Sequence, residues 1–348
     1  MKFRILSACA LAACVCVLAG ATGVAARPRA SAAAQDNQGK QPDLKISGGE
    51  RDAADKINKA KGAEAKLQAA SEFVKKYPKS ALRPRIAEAV AAEINGTQDN
   101  QLRISLGETY VAIFNEPGEA EHVRGTLLAT YLDAEQAEQA FKAAPAWLEK
   151  HPEDVDSYRR LAILGSNAAI RGDDKYVAQA RQYGEKAVEL IEADKKPADV
   201  DAAKWADYKA KMLPGLYRET GILALRTGEK AAARARLEKA VALNTPDPSA
   251  YALVGQFADE EYTGLVNEYK IASGPSKDAA FKKAQAQLDK VIELYAQAVA
   301  LTEGRPEYQP LKGQVMPALE DYYKFRHNGS TDGLQQLIDK YKKPAAAQ

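Results

Sequence analysis

Cysteine is scarce and confined. The chain of 348 residues has three, Cys9, Cys14 and Cys16, all within its first sixteen positions. The rest of the chain therefore has no disulfide, no thiol nucleophile and no cysteine metal ligand. Histidine is almost as rare: His122, His151 and His327 lie far apart. No His-Glu-x-x-His, Gly-x-Ser-x-Gly, Ser-x-x-Lys or phosphate-cradling glycine loop occurs, which removes the common handles for zinc proteases, serine hydrolases and nucleotide enzymes. Phenylalanine (7) and tryptophan (2) are few and β-branched runs are short, so strands have little to be built from. Alanine-rich apolar segments make up much of the 46% hydrophobic fraction instead and favour helix.

The longest apolar run, Ile5 to Leu18, follows Lys2 and Arg4 and precedes the small-residue stretches Val24-Ala25-Ala26 and Ala32-Ala33-Ala34. That is the layout of a secretory signal, predicted over 1–34 with cleavage after Ala26 or Ala34; as a membrane anchor the run is too short. Leu11-Ala-Ala-Cys14 looks like a lipoprotein acylation site, but Val15, Val17 and Leu18 continue the apolar run past it, so ordinary cleavage is the preferred reading. Membrane attachment is expected only if Cys14 is acylated. Removing 1–34 leaves 45 of the 49 basic residues against 47 acidic ones. Nucleic acid is then a poor partner, since phosphate binding needs a concentrated basic field.

Residues 35–50 read as a polar tether, 51–343 as the folded domain and 344–348 as a tail. Within 51–343, helix-period segments are interrupted at Pro78, Pro117, Pro152, Pro197, Pro246 with Pro248, and Pro306. Proline stops a helix, and intervals of this length hold two helices each. Two breaks share a form, Phe73-Val-Lys-Lys-Tyr77-Pro78 and Trp147-Leu-Glu-Lys-His151-Pro152, each closing a helix with an aromatic residue, basic residues and proline. Phe281, Ala284, Leu288, Ile292, Tyr295 and Val299 mark one apolar face of a long helix over about 277–302, with 260–276 before it as an inserted loop or helix extension. Pro317 should kink a helix, and Leu334, Leu337, Ile338 and Tyr341 mark a closing one.

Tyr217-Arg-Glu-Thr-Gly221-Ile-Leu-Ala224, followed by Ala233-Arg-Ala-Arg-Leu237-Glu-Lys-Ala240, resembles a tetratricopeptide (TPR) repeat, a ~34-residue helix-turn-helix that must stack on neighbours to bury its apolar face. Leu161 to Gly165 with Ala180 to Leu190, and Tyr251 to Gly255 with Leu294 to Leu301, are similar. The clearest repeats span 155–302. The family's tryptophan is replaced by Leu161, Tyr217 and Tyr251, and the N-terminal third matches less well.

The resemblance implies an all-α, helix-turn-helix repeat solenoid, a TPR-like superhelix without cofactor or metal. Gly165, Ala180, Ala187, Tyr217, Gly221, Ala233, Leu237, Ala240, Tyr251, Gly255, Tyr295 and Ala298 are its expected packing residues. Aligning the three glycines puts Arg159, Ser166, Arg218, Ile222, Gln256 and Asp259 on a groove lined by first helices, which would bind a protein or peptide of the cell envelope. The function expected is a non-catalytic scaffold, periplasmic or secreted. The alternative is a cell-wall or glycan-active or glycan-binding helical protein, as in murein lyases built on α-solenoids, although the Glu-Ser pair typical of those enzymes is absent. Glu119-Ala-Glu121-His122 puts a carboxylate and an imidazole on one helix face. Without a second such pair it reads as ordinary acidic residues at a helix start.

Overall fold

A computed structural model describes residues 46–196 and 200–342. The signal segment, most of the tether, Pro197 and the tail lie outside the described residues. Those described form fourteen α-helices and no strand, and divide into two units within the helix Val155–Ile170, at Ser157 and Tyr158.

The first unit holds α1 (Gly48–Lys59), α2 (Ala63–Lys76), α3 (Arg83–Gly96), α4 (Asn100–Ile113), α5 (Glu121–Asp133) and α6 (Ala137–Leu148). The first of these helices starts at Gly48, within the stretch read from sequence as tether. Ser47 accepts from the Glu50 amide (3.2 Å) while the Glu50 carboxylate accepts from the Ser47 amide (2.8 Å), a reciprocal cap that two polar residues complete without any apolar anchor. Consecutive helices pack as hairpins, and α3 also packs on α5 and α2 on α4. Alternate helices thus touch, which is the packing of stacked helix pairs. Phe73, Ile94, Tyr110, Phe114 and Val90 fill the core.

Arg83 and Glu119 are buried in this unit. The guanidinium clamps the carboxylate through Nε (2.7 Å) and Nη2 (3.0 Å) and donates to the Pro78 carbonyl, so the start of α3 is tied to the turn before α5. Glu119 holds Arg83's pKa above its ordinary value. Glu121 pairs with Arg124 (2.6 Å) and Lys150 (3.1 Å). Both carboxylates of the Glu119-Ala-Glu121-His122 pattern are thereby engaged in ion pairs.

The second unit comprises α7 (Val155–Ile170) from Tyr158 onward, α8 (Val177–Glu192), α9 (Ala202–Arg226), α10 (Lys230–Ala242), α11 (Pro248–Ile271), α12 (Pro275–Ala300), α13 (Gln309–Arg326) and α14 (Leu334–Lys340). Segment 260–276 is no loop. α11 runs through it to Ile271, and only Ala272-Ser-Gly274 separates it from α12. Gly274 supplies a backbone (φ 56°, ψ −144°) closed to other residues, and Pro275 starts the next helix. Pro317 lies inside α13. α14 closes the unit against α12.

Phe281 departs from the periodicity argument. It is 45% exposed, with the Tyr269 ring of α11 against it (5.5 Å), whereas Leu288, Ile292 and Tyr295 are buried in the core.

Candidate interaction face

The second unit sorts its helices into two rows. In the first row, Arg226 of α9 donates to the Ala169 carbonyl at the end of α7 (2.8 Å). Arg218 of α9 pairs with Asp247 (2.9 Å) at the start of α11, and Tyr322 of α13 donates to Asp259 of α11 (2.5 Å). In the second row, Arg236 of α10 donates to Glu185 of α8 (3.2 Å), Lys239 of α10 meets Glu192 of α8 (3.1 Å), and Lys340 and Tyr341 at the end of α14 reach Glu293 of α12. First helices therefore neighbour first helices and second helices neighbour second ones. This order makes the first-helix row a continuous surface, while the second row shows α8 beside α10 and α12 beside α14.

The turn from first to second helix repeats as well. The Asp173 amide donates to the Ala168 carbonyl and the Glu229 amide to the Ala224 carbonyl, both at 2.9 Å, around the left-handed residues Gly172 and Gly228. Both are the six-residue closure that satisfies end-of-helix carbonyls.

Close helix approach rests on missing side chains. A Cβ on Gly221 would stand 2.7 Å from Leu237 Cγ and 3.3 Å from the Ala233 carbonyl; on Gly255 it would stand 2.4 Å from the Tyr295 ring. Ala180, Ala187, Ala233, Ala240 and Ala298 are buried, as are Gly165, Leu237, Tyr217, Tyr251 and Tyr295. Further contacts of this kind escaped sequence reasoning, among them Gly184 against Thr220 and Ala162, and in the first unit Gly49 against Tyr77, Gly107 against Leu127 and Gly125 against Trp147. Gly221 precedes its partner by sixteen positions, Gly125 by twenty-two and Gly255 by forty, so no fixed offset announces them.

The six residues assigned to a groove separate into two groups. Ser166 is fully buried, and Ile222 and Arg218 are nearly so. They are interior residues, because the first helices are covered by neighbours on more of their circumference than glycine alignment implies. Arg218 donates to Ser249 Oγ (3.2 Å) and pairs with both Asp247 and Glu219. Burial disfavours its charge, but the two carboxylates outweigh that and raise its pKa. Tyr308 donates to Asp247 (3.2 Å) and is pushed up to about 12 by burial and that negative charge. Arg218 thus joins α9, α11 and the turn preceding α13 internally.

Arg159, Gln256 and Asp259 are half-buried. Beside them on the same helices, Asn167 and Ile170 of α7, Leu225 and Arg226 of α9 and Leu253 of α11 are also half-buried, as is Met316 of α13. Burial raises the Asp259 carboxyl above the usual range, while the Tyr322 hydroxyl hydrogen bond pulls the other way. Tyr322 is itself raised, first by burial and then by Asp259, and its ring meets Tyr262 edge-on at 5.9 Å. Arginine, amide, carboxylate and apolar side chains thus alternate across the first-helix row.

No protein-family model matches the chain, and no curated protein does. Among solved structures, one described as "MamA RS-1 ArsTM double mutant" aligns with 57% of this chain and 96% of its own, at 12% identity and a TM-score of 0.33. So slight a likeness bears on neither fold nor function. The assignment of stacked helix pairs rests on the two rows of contacts and the recurring turn.

Proposed function

We propose that this protein is a TPR-like, non-catalytic scaffold that binds a protein or peptide segment along the first-helix row of residues 158–342. The observation that carries the reading is that row itself, where α7, α9, α11 and α13 succeed one another and present half-buried polar and apolar side chains side by side. Such a surface suits an extended or helical segment, whose side chains repeat on a similar scale. Arg159, Gln256 and Asp259 are its polar contacts, with Leu225, Leu253 and Met316 as apolar ones. Ser166, Ile222 and Arg218 support it from within. The signal-like segment at 1–34 supports a place of action in the cell envelope or outside the cell.

A photo-crosslinking residue at Gln256, with Lys186 on the second row as control, tests this in envelope extract. A defined product from position 256 alone, lost on Leu253→Ala with Asp259→Ala, is the expected result. Equal products from both positions, or recovery unchanged by the double substitution, would overturn it. Soluble fragments released from murein by the purified protein would establish the glycan-active alternative instead.

A further inference from the structure

The hairpin of α11 and α12 is longer than its neighbours require. Lys230 of α10 reaches Glu260, Arg234 of α10 reaches Glu261 (3.0 Å), Tyr322 of α13 reaches Asp259, and Arg326 of α13 reaches Asp289 (2.7 Å). Beyond these anchors α11 continues for about ten residues, roughly 15 Å, and α12 for about fourteen, roughly 20 Å, to the turn at 272–274. Among the described residues no ion pair or ring contact ties 263–284 to another helix pair. The tip is held by its own contacts, Tyr269 against Phe281 (5.5 Å) and Ala280 and Ala284 buried along the seam.

This tip brings two exposed large apolar side chains and several lysines together, whereas Leu243 and Phe325, exposed elsewhere in the unit, stand apart at the end of α10 and on α13. Ile271 is 87% exposed, the most exposed large apolar side chain among the described residues, and Phe281 is 45% exposed. Around them stand Lys270, Lys277, Lys282 and Lys283, against two acids, Glu268 and Asp278. Elsewhere in the unit Lys209, Lys230, Lys239, Lys324, Lys340 and Lys342 each meet a carboxylate. Among the described residues the four tip lysines meet none: Lys270 lies near Asn267 Oδ1 (3.3 Å), and Lys277 lies over the Tyr269 ring (5.1 Å).

We propose that the α11–α12 tip docks on an anionic lipid surface, with Ile271 and Phe281 entering the boundary between headgroups and acyl chains and the four lysines lying over the headgroups. Isolated apolar side chains on a narrow convex tip give a rigid protein partner little to enclose, whereas a bilayer deforms around them. Unpaired lysines suit diffuse negative charge, and their long stems let the ammonium groups stay in water while the tip sinks. No helix among the described residues is long and apolar enough to cross a membrane, so the tip lies in the interface. Such docking needs no acylation at Cys14, and it leaves the first-helix row free for a protein partner.

Co-sedimentation of the purified mature protein with vesicles tests the proposal. Binding is expected to vesicles of phosphatidylcholine mixed with phosphatidylglycerol, with little to phosphatidylcholine alone, and should weaken as salt rises. Ile271→Ser with Phe281→Ser should lower partitioning about tenfold or more, since the apolar area entering the bilayer sets the affinity. Lys270, Lys277, Lys282 and Lys283 all changed to Gln should lower it about tenfold or more and flatten the salt dependence. These side chains are exposed, so the helical circular dichroism of each variant should match the parent. Phe281→Trp should shift its emission to the blue on anionic vesicles. Absence of binding at low salt, undiminished binding by the double serine variant, or an unshifted Trp would each overturn the proposal. Equal retention of parent and serine variant on polyglutamate and on vesicles would reduce the tip to plain charge attraction and overturn it as well.

Discussion

The turn joining α5 to α6 and the turn joining α9 to α10 have the same backbone but different residues at their pivot. In the first, Gln136 donates to the Tyr131 carbonyl around Glu135 at φ 51°; in the second, Glu229 donates to the Ala224 carbonyl around Gly228 at φ 78°. A side chain in the left-handed region costs energy that glycine avoids. The first unit therefore holds its turn by packing on either side, while the second has local chemistry in its favour. That difference explains why the repeat is readable around Gly221 and faint around Gly125. The geometry is shared with the turn at Gly172 as well, and the glycine that marks it is absent from the α5–α6 turn.

The two units also share a buried arginine that joins one helix to a later turn, Arg83 with Glu119 and Arg218 with Asp247 and Glu219. The largest expected effect breaks this parallel. Glu119→Ala leaves Arg83 buried without its carboxylate and should cost about 3–5 kcal/mol, with hydrogen-exchange protection lost first across α3 to α5. Arg218→Ala should shift the corresponding loss to α9 and α11. Unfolding of both units together in either variant would show that they do not behave as separate cooperative bodies.

A smaller effect concerns close approach. Gly255→Ala drives a methyl into the Tyr295 ring, which is buried and cannot swing away, and should cost about 1–3 kcal/mol in urea unfolding. Gly264→Ala, one stretch further along the same helix, meets nothing within 4 Å and should stabilise by up to about 1 kcal/mol through helix propensity. If both substitutions destabilised equally, the tip of the α11–α12 hairpin would have to be as tightly enclosed as its base.

The turn comparison itself is sharpened by exchanging residues. Glu135→Gly should raise stability and Gly228→Ala lower it, each by about 1 kcal/mol. The same sign for both would sink the argument that Glu135 carries backbone strain.

The smallest effect is pH-dependent. Burial raises the folded carboxyl pKa of Asp259 above its unfolded value, so the folded state binds the proton more tightly. Stability from this group is therefore lost as pH rises from the unfolded to the folded pKa. Asp259→Asn, which keeps an oxygen for the Tyr322 hydroxyl, should be slightly more stable than the parent at neutral pH, with the advantage vanishing in acid. A difference in melting temperature that grows towards low pH would contradict this sign.

Much of the fold was legible because helix formation is a local property. Pro78, Pro117 and Pro152 fall between α-helices and Pro306 opens a short 3-10 helix, since a missing amide donor disfavours continuing a helix, although Pro145, Pro214 and Pro317 are accommodated inside α6, α9 and α13. The periodicity of Leu288, Ile292 and Tyr295 points at the core for the same reason. Phe281 shares that period and is exposed, because periodicity defines a face of a helix without saying whether another helix covers it. The candidate surface was less legible. Ile222 and Gln256 each stand one residue after their aligned glycine, yet the first is buried and the second half-buried, because different segments pack beside them.

The sequence by itself determined an all-helical chain, broken by proline into hairpins whose small residues permit close stacking, because propensity and steric exclusion act over a few residues. Only the tertiary structure decided which arginines are internal ties, which alanine or glycine meets which ring, and that one hairpin outruns its neighbours to leave Ile271, Phe281 and four lysines uncovered. Burial and charge pairing depend on what segments distant in the chain bring alongside, and a linear pattern does not hold that information.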